Sequence, residues 1–137
     1  MSSKKPRGPA LTVDGIMVID QKLVLIRRGA PPFKGMHALP GGFVDYGESC
    51  EDAVVREIEE ECGVKTRIID IIGVYSDPGR DPRGHVASAV YHLEIIEGEL
   101  RAGDDAADVE LIPLDDLPQL AFDHSKIIDD FKARSGL

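Results

Sequence analysis

Glu57, Glu60 and Glu61 stand at i, i+3 and i+4 within residues 49–62, a segment that reads as an α-helix. That spacing puts three carboxylates on one face within a single turn. Like charges so placed repel, and the helix is destabilised unless something cationic sits among them. Arg56, four residues ahead of Glu60, can neutralise part of the cluster, and Glu48, just before the helix, can pair with Arg56. A divalent cation would neutralise the rest: carboxylates are hard oxygen ligands of the kind Mg²⁺ takes, and a cation so held can in turn hold phosphates. On the carboxylates alone, the plainer alternative of a solvated acidic helix face stays open.

The helix itself is well marked. Ser49 with Asp52 three residues on matches a capping box, Ala53, Val54, Val55, Ile58 and Cys62 supply an apolar side, and Gly63 sits where a C-terminal stop belongs. Ahead of it, residues 11–19 and 23–26 are β-rich runs around the polar pair Asp20–Gln21, which predicts a hairpin. Residues 29–36 are dense in Pro and Gly and predict a loop, and residues 39–42 predict a further turn. After the helix, residues 65–75 and 85–96 predict long strands, residues 103–108 an acidic loop, residues 109–113 a short strand and residues 122–133 a terminal helix. Strands, a helix, more strands and a last helix predict an α/β or α+β sandwich.

The chain has 137 residues, with 42% hydrophobic and 30% charged, which fits one domain spanning residues 1–137, with residues 1–9 as a flexible basic tail. Its net charge of −9 makes a poor non-specific partner for DNA, RNA or anionic lipid. No apolar run approaches the roughly 18 residues that a membrane span needs. Asp14 interrupts the first apolar stretch, so the N-terminus does not read as a secretory signal. Cys50 and Cys62, about 18 Å apart along one helix, are too distant for a disulfide. A cytoplasmic, reducing location is the expectation.

The acids belong to a longer pattern. Counted from Gly42, the chain satisfies G-x5-E-x7-R-E-U-x-E-E-x-G-U, with U aliphatic, at Gly42, Glu48, Arg56, Glu57, Ile58, Glu60, Glu61, Gly63 and Val64. A chance match has a probability on the order of 10⁻⁷ at average residue frequencies. The segment resembles the Nudix box, and the chain looks like a Nudix hydrolase. The resemblance implies a mixed sheet between helices, with a strand-loop-helix catalytic unit, and hydrolysis of a nucleoside diphosphate linked to another group. It implies Mg²⁺ or Mn²⁺ held by Glu57, Glu60 and Glu61 with the carbonyl of Gly41, while Arg56 and Glu48 orient those carboxylates. Such cations can bridge diphosphate oxygens, lower the pKa of a water and stabilise charge during in-line attack. Small enzymes of this kind tend to be homodimers that share the site.

The substrate is approached through the run after the box. Pro78 lies 15 residues beyond Gly63, and Ser76–His85 (SDPGRDPRGH) is similar to segments of ADP-ribose hydrolases and of related Nudix-type regulators. Those regulators carry a further DNA-binding domain, for which this chain leaves no room and has the wrong charge. Magnesium-dependent conversion of ADP-ribose to AMP and ribose 5-phosphate is therefore the leading expectation. The alternatives are an oxidised nucleoside triphosphate, a dinucleoside polyphosphate, or a non-catalytic module that senses a nucleotide. Arg80 and Arg83 are candidates for phosphate or ribose contacts, unless they merely pair with Asp77 and Asp81. Strand alternation turns one of Arg27 and Arg28 to the site and the other to solvent, and Arg27 is assigned to the site. A separate general base would be a carboxylate on the acidic loop, Asp105 ahead of Asp104. His37 stands where related sequences often have Trp, and Phe122 and His124 are open between an adenine pocket and ordinary core or surface.

Overall fold

Val13, Met17, Val24 and Leu25 are each essentially buried, so the first strands are covered on both faces. The computed structural model describes residues 7–103 and 106–137. Its elements run β1 (Ala10–Ile16), β2 (Val18–Ile19), β3 (Lys22–Arg28), β4 (His37–Ala38), β5 (Gly41–Phe43), α1 (Cys50–Cys62), β6 (Val64–Tyr75), β7 (Val86–Gly98), β8 (Ala106–Pro113) and α2 (His124–Ser135). One sheet has the order β5-β1-β7-β6, parallel only between β1 and β7. The other runs β2-β3-β4, with β8 also paired to β3, and is antiparallel throughout.

The apolar run at residues 11–19 is not one hairpin arm, as its composition predicts. It breaks at Met17, where the chain leaves the first sheet and enters the second. The hairpin itself is present, between β2 and β3. Asp20 and Gln21 both take positive φ, 50° and 63°, the turn geometry that matches the twist of paired strands.

Strand parity explains the layers. Val24 and Ile26 of β3, and Ala89, Tyr91 and Leu93 of β7, pack with Ala53, Val54, Ile58 and Cys62 of α1. Their neighbours Leu23, Leu25 and Val90 pack with Ile127, Ile128 and Phe131 of α2. Alternate residues of one strand point to opposite faces, so the two helices cover opposite sides of the strands. The expected sandwich is present, built on two sheets. Gly15 lets α1 come close: a Cβ there would lie 2.9 Å from Ile58 Cδ1 and 2.7 Å from Leu93 Cδ1.

The caps of α1 form as its sequence predicts. Ser49 Oγ accepts from Asp52 N–H at 3.0 Å, and Gly63, at φ 76°, donates to the Glu59 carbonyl at 2.9 Å. Three boundaries differ from expectation. Residues 41–43 form β5 against β1 instead of a turn, and β8 begins at Ala106, inside the predicted acidic loop. The last helix begins at His124 because Phe122 has φ 54°, outside the helical region. Both cysteines are free, and among the described residues no helix is long and apolar enough to cross a membrane.

Ile58 joins α1 to both β1 and β7 and is fully buried. Ile58→Ala should lower the free energy of unfolding by about 2–5 kcal/mol, read from urea denaturation followed by circular dichroism.

Candidate active site

The site is organised by two glycines on an edge strand. Gly15 N–H donates to the Pro40 carbonyl at 2.9 Å, and Val44 N–H donates to the Leu11 carbonyl at 3.0 Å. With Asp14 opposite Gly41, this parity makes Gly41 a non-hydrogen-bonded position of the β1–β5 pair. Its N–H and C=O therefore both turn away from β1. The N–H meets Glu61 Oε1 at 3.0 Å, and the carbonyl projects to the same side of the strand. Neither glycine tolerates a side chain: a Cβ on Gly41 would lie 2.0 Å from the Val13 carbonyl oxygen, and one on Gly42 would lie 2.3 Å from Glu57 Oε2.

Arg56 resolves the repulsion along α1. Its Nε and Nη2 hold the two oxygens of Glu48 at 2.7 and 2.8 Å, and its Nη1 reaches Glu57 Oε1 at 2.8 Å and Glu60 Oε2 at 3.2 Å. Nη2 also donates to the Phe43 carbonyl at 3.2 Å, tying α1 to the end of β5. The hydrogen bonds from Arg56 pull the Glu48 carboxyl down to about 2, and Glu48 in return raises the pKa of the guanidinium. Glu57 is shifted upward because burial outweighs its bonds to Arg56.

Glu61 lies outside the hydrogen bonds of Arg56. Burial pushes its carboxyl up to about 7, against the downward pull of the Gly41 N–H, with Glu57 and Asp14 adding repulsion. Among the described residues no three Asp, Glu, His or Cys side chains form a ready-made metal cage, since Arg56 gathers Glu48, Glu57 and Glu60 instead. Of the acids on α1, Glu57 and Glu61 line the neighbouring cleft, together with Gly41, which can offer only its backbone. Two carboxylates and a carbonyl are all hard oxygens, and a partly buried carboxylate without a cation is a natural place for a divalent ion, so these residues fit Mg²⁺ or Mn²⁺. Glu60 stands apart, with its side chain 60% exposed and turned to Arg56.

The cleft holds about 460 Å³ and extends from Glu57 and Glu61 to Arg28, Phe43, Arg83 and Phe122. Arg83 pairs with buried Asp81 at 2.8 Å, and its guanidinium lies 5.5 Å from the Phe43 ring centroid and 5.6 Å from that of Phe122. Arg80 is nearly buried and pairs in two-pronged fashion with Asp123, at 2.7 and 2.9 Å, and not with Asp77 or Asp81. Arg28 donates from Nε to the Pro32 carbonyl at 2.6 Å and stacks 5.0 Å from the Phe122 centroid. Burial and nearby Arg83 lower its pKa, so an anion would be welcome beside it.

The structure does not bring Arg27 to this cleft. Arg27 pairs with Glu110 at 3.2 Å on the other side of β3, where His37 Nε2 meets the same carboxylate at 2.7 Å. Alternation along β3 thus selects Arg28, not Arg27, for the cleft. Asp105 and Asp104 lie outside the described residues. Asp14, buried at the cleft floor, was missed as a site residue. Its signal in the sequence is an acid inside an otherwise apolar strand.

Residues 8–131 match the NUDIX domain profile. The chain belongs to the Nudix family. This Nudix chain is 58% identical over 123 residues to the "ADP-ribose pyrophosphatase" of Methanocaldococcus jannaschii, covering 90% of this chain and 73% of that one. Its fold is similar to the NUDIX domain of Shewanella oneidensis NrtR in complex with ADP-ribose, at a TM-score of 0.84 and 31% identity, over 97% of this chain and 94% of that one. A bifunctional NMN adenylyltransferase/ADP-ribose pyrophosphatase from Francisella tularensis, complexed with AMP and a manganese ion, matches at a TM-score of 0.78 and 27% identity. It is covered over 43% of its length by 98% of this Nudix chain.

The raised Glu61 carboxyl has a stability consequence. In protein stripped of divalent cations, the folded state keeps this proton at pH values where the unfolded chain has lost it. The associated stability is full below the ordinary value of 4.5 and is lost as pH rises to about 7. Relative to Glu61→Gln, the wild type should lose on the order of 2 kcal/mol between pH 5 and pH 8. Parallel melting curves of the two proteins across that range would contradict the shift.

Proposed function

We propose that this Nudix hydrolase converts ADP-ribose and water to AMP and ribose 5-phosphate with Mg²⁺, for which Mn²⁺ can substitute. One observation carries the reading: the Gly41 carbonyl, Glu57 and Glu61 open into the same cleft as Arg28 and the Phe122 ring. Cation donors, an anion-seeking arginine and aromatic faces in one cleft suit a diphosphate joined to a nucleoside. A volume of about 460 Å³ is in the range of small-molecule sites. The similarity to the archaeal ADP-ribose pyrophosphatase and to the ADP-ribose-bound Shewanella domain supports the same substrate.

Each residue has a distinct task in this reading. Glu57, Glu61 and the Gly41 carbonyl would hold the cation, with Glu60 joining from the exposed side of α1. When bound, a divalent cation neutralises diphosphate charge and acidifies a water for in-line attack on phosphorus. Arg56 holds Glu57 and Glu60 through one guanidinium nitrogen, and Glu48 fixes Arg56 in place. Arg28 draws in the diphosphate, a role first assigned to Arg27. Arg83 and the rings of Phe43 and Phe122 offer flat surfaces to the base, while Arg80, held by Asp123, supports the cleft wall. Asp105, immediately before β8 in the chain, is proposed as the general base.

The test is product analysis with Mg²⁺ and a panel of ADP-ribose, NADH, diadenosine polyphosphates, dGTP and 8-oxo-dGTP. AMP and ribose 5-phosphate should appear from ADP-ribose well ahead of any other product. Fast triphosphate cleavage with ADP-ribose untouched would overturn the substrate. Glu57→Gln and Glu61→Gln should each cut kcat by about 10²–10³-fold with the fold intact, as expected when groups that stabilise developing charge are removed. Arg28→Ala should raise KM for ADP-ribose, whereas Arg27→Ala should leave it near wild type; the reverse result would restore Arg27.

A further inference from the structure

At the cleft floor, Asp14 and His124 lie together with Ser88, on three separate elements. Ser88 of β7 is fully buried, and its hydroxyl donates to Asp14 Oδ2 at 2.5 Å. His124, the first residue of α2, places Nε2 3.8 Å from the same oxygen. The trio is not a nucleophilic triad. The serine proton goes to the carboxylate instead of the imidazole, and the hydroxyl is sealed from solvent.

The other ring nitrogen shows what the histidine does. Leu39 N–H donates to His124 Nδ1 at 3.0 Å. A backbone amide can only donate, so Nδ1 keeps its lone pair, the ring is neutral, and its single proton sits on Nε2 facing Asp14. Burial acts in the same direction, lowering the imidazole pKa against the pull of Asp14.

Leu39 is two residues before Gly41, and backbone hydrogen bonds hold the chain on either side of it. The His37 carbonyl accepts from Ala121 N–H at 2.8 Å, and the Pro40 carbonyl accepts from Gly15 N–H at 2.9 Å. Pro40 has no N–H to contribute. Leu39 is itself buried, so its amide would be left without a partner if the imidazole were removed, and the peptide would have to turn to find one. Such a turn is transmitted directly to Gly41, whose N–H is bonded to Glu61.

We propose that His124 is a positioning residue: through the Leu39 amide, its neutral imidazole aims the Gly41 carbonyl at the cation alongside Glu61, with Asp14 and Ser88 fixing the ring. The inference rests on the reading of Gly41 and Glu61 as cation ligands. His124 acts here through Leu39, without a bond to the cation.

The test uses the full chain and Mn²⁺ alone, with binding read from the electron paramagnetic resonance signal of free Mn²⁺. His124→Phe should weaken Mn²⁺ binding by about 10- to 100-fold, as for other residues that orient metal ligands. His124→Asn, whose side-chain oxygen can stand where Nδ1 stands, should recover most of that loss. A folded His124→Phe protein that binds Mn²⁺ as wild type does, even with a lowered Tm, would show a merely structural role and overturn the inference. Equal loss in both variants would overturn the acceptor role. Wild-type protein that binds no Mn²⁺ would overturn the cation reading and this inference with it. Should the variants fail to fold, nuclear magnetic resonance on the wild type decides. A scalar coupling between the Leu39 amide nitrogen and unprotonated His124 Nδ1, with the Leu39 amide shifting on Mg²⁺ addition, is required. A protonated Nδ1, or an amide indifferent to Mg²⁺, overturns it.

Discussion

Carboxylates crowded on one turn of a helix repel, and the whole site is arranged around that repulsion. One guanidinium, Arg56, absorbs most of it by holding Glu48, Glu57 and Glu60 together and by reaching the Phe43 carbonyl at the end of β5. Glu61 is left to one side, lining the cleft, where its carboxylate accepts from the Gly41 amide. A divalent ion suits that place because Arg56 is already bonded to the other three acids. The division is one of geometry: Arg56 sits four residues before Glu60 and next to Glu57, and its fork bonds to Glu48, Glu57 and Glu60.

The same crowding explains why two glycines precede the helix. Glu57 packs so tightly on Gly42, and β1 on Gly41, that a methyl group at either position would overlap its neighbour. The close approach brings a backbone carbonyl within the set of oxygen donors, which a bulkier strand would hold at a distance. Further bonds come from the α2 side, where Ala121 before that helix donates to the His37 carbonyl and His124 at its start accepts from Leu39. Helix α1 thus supplies the acids, and the approach to α2 steadies the backbone they face.

Much of this was legible in the sequence. The motif gave away the family, and the serine and glycine caps of α1 form where local chemistry requires them, since each cap is a contact between near neighbours. The Arg56–Glu48 pair was likewise readable from spacing. What went astray involved long-range partners. Residues 39–42 look like a turn by composition, yet β1 offers Gly41 and Gly42 a register and they join Phe43 in a strand. Residues 11–19 look like one strand, yet two sheets compete for them and divide them at Met17.

The amino-acid order by itself determined the acid face, its arginine, the helix that carries them and the glycines before it, because all of these act within about twenty residues of chain. Only the tertiary structure decided which side chains share the cleft. Arg28 enters and Arg27 does not, because pairing with β8 and β4 turns β3 one way. Arg80 is taken by Asp123, 43 residues later, instead of a neighbouring aspartate. Asp14 becomes a buried anchor through Ser88 and His124, at separations of 74 and 110 residues. Strand parity and burial set those choices, and both depend on partners that no local pattern names.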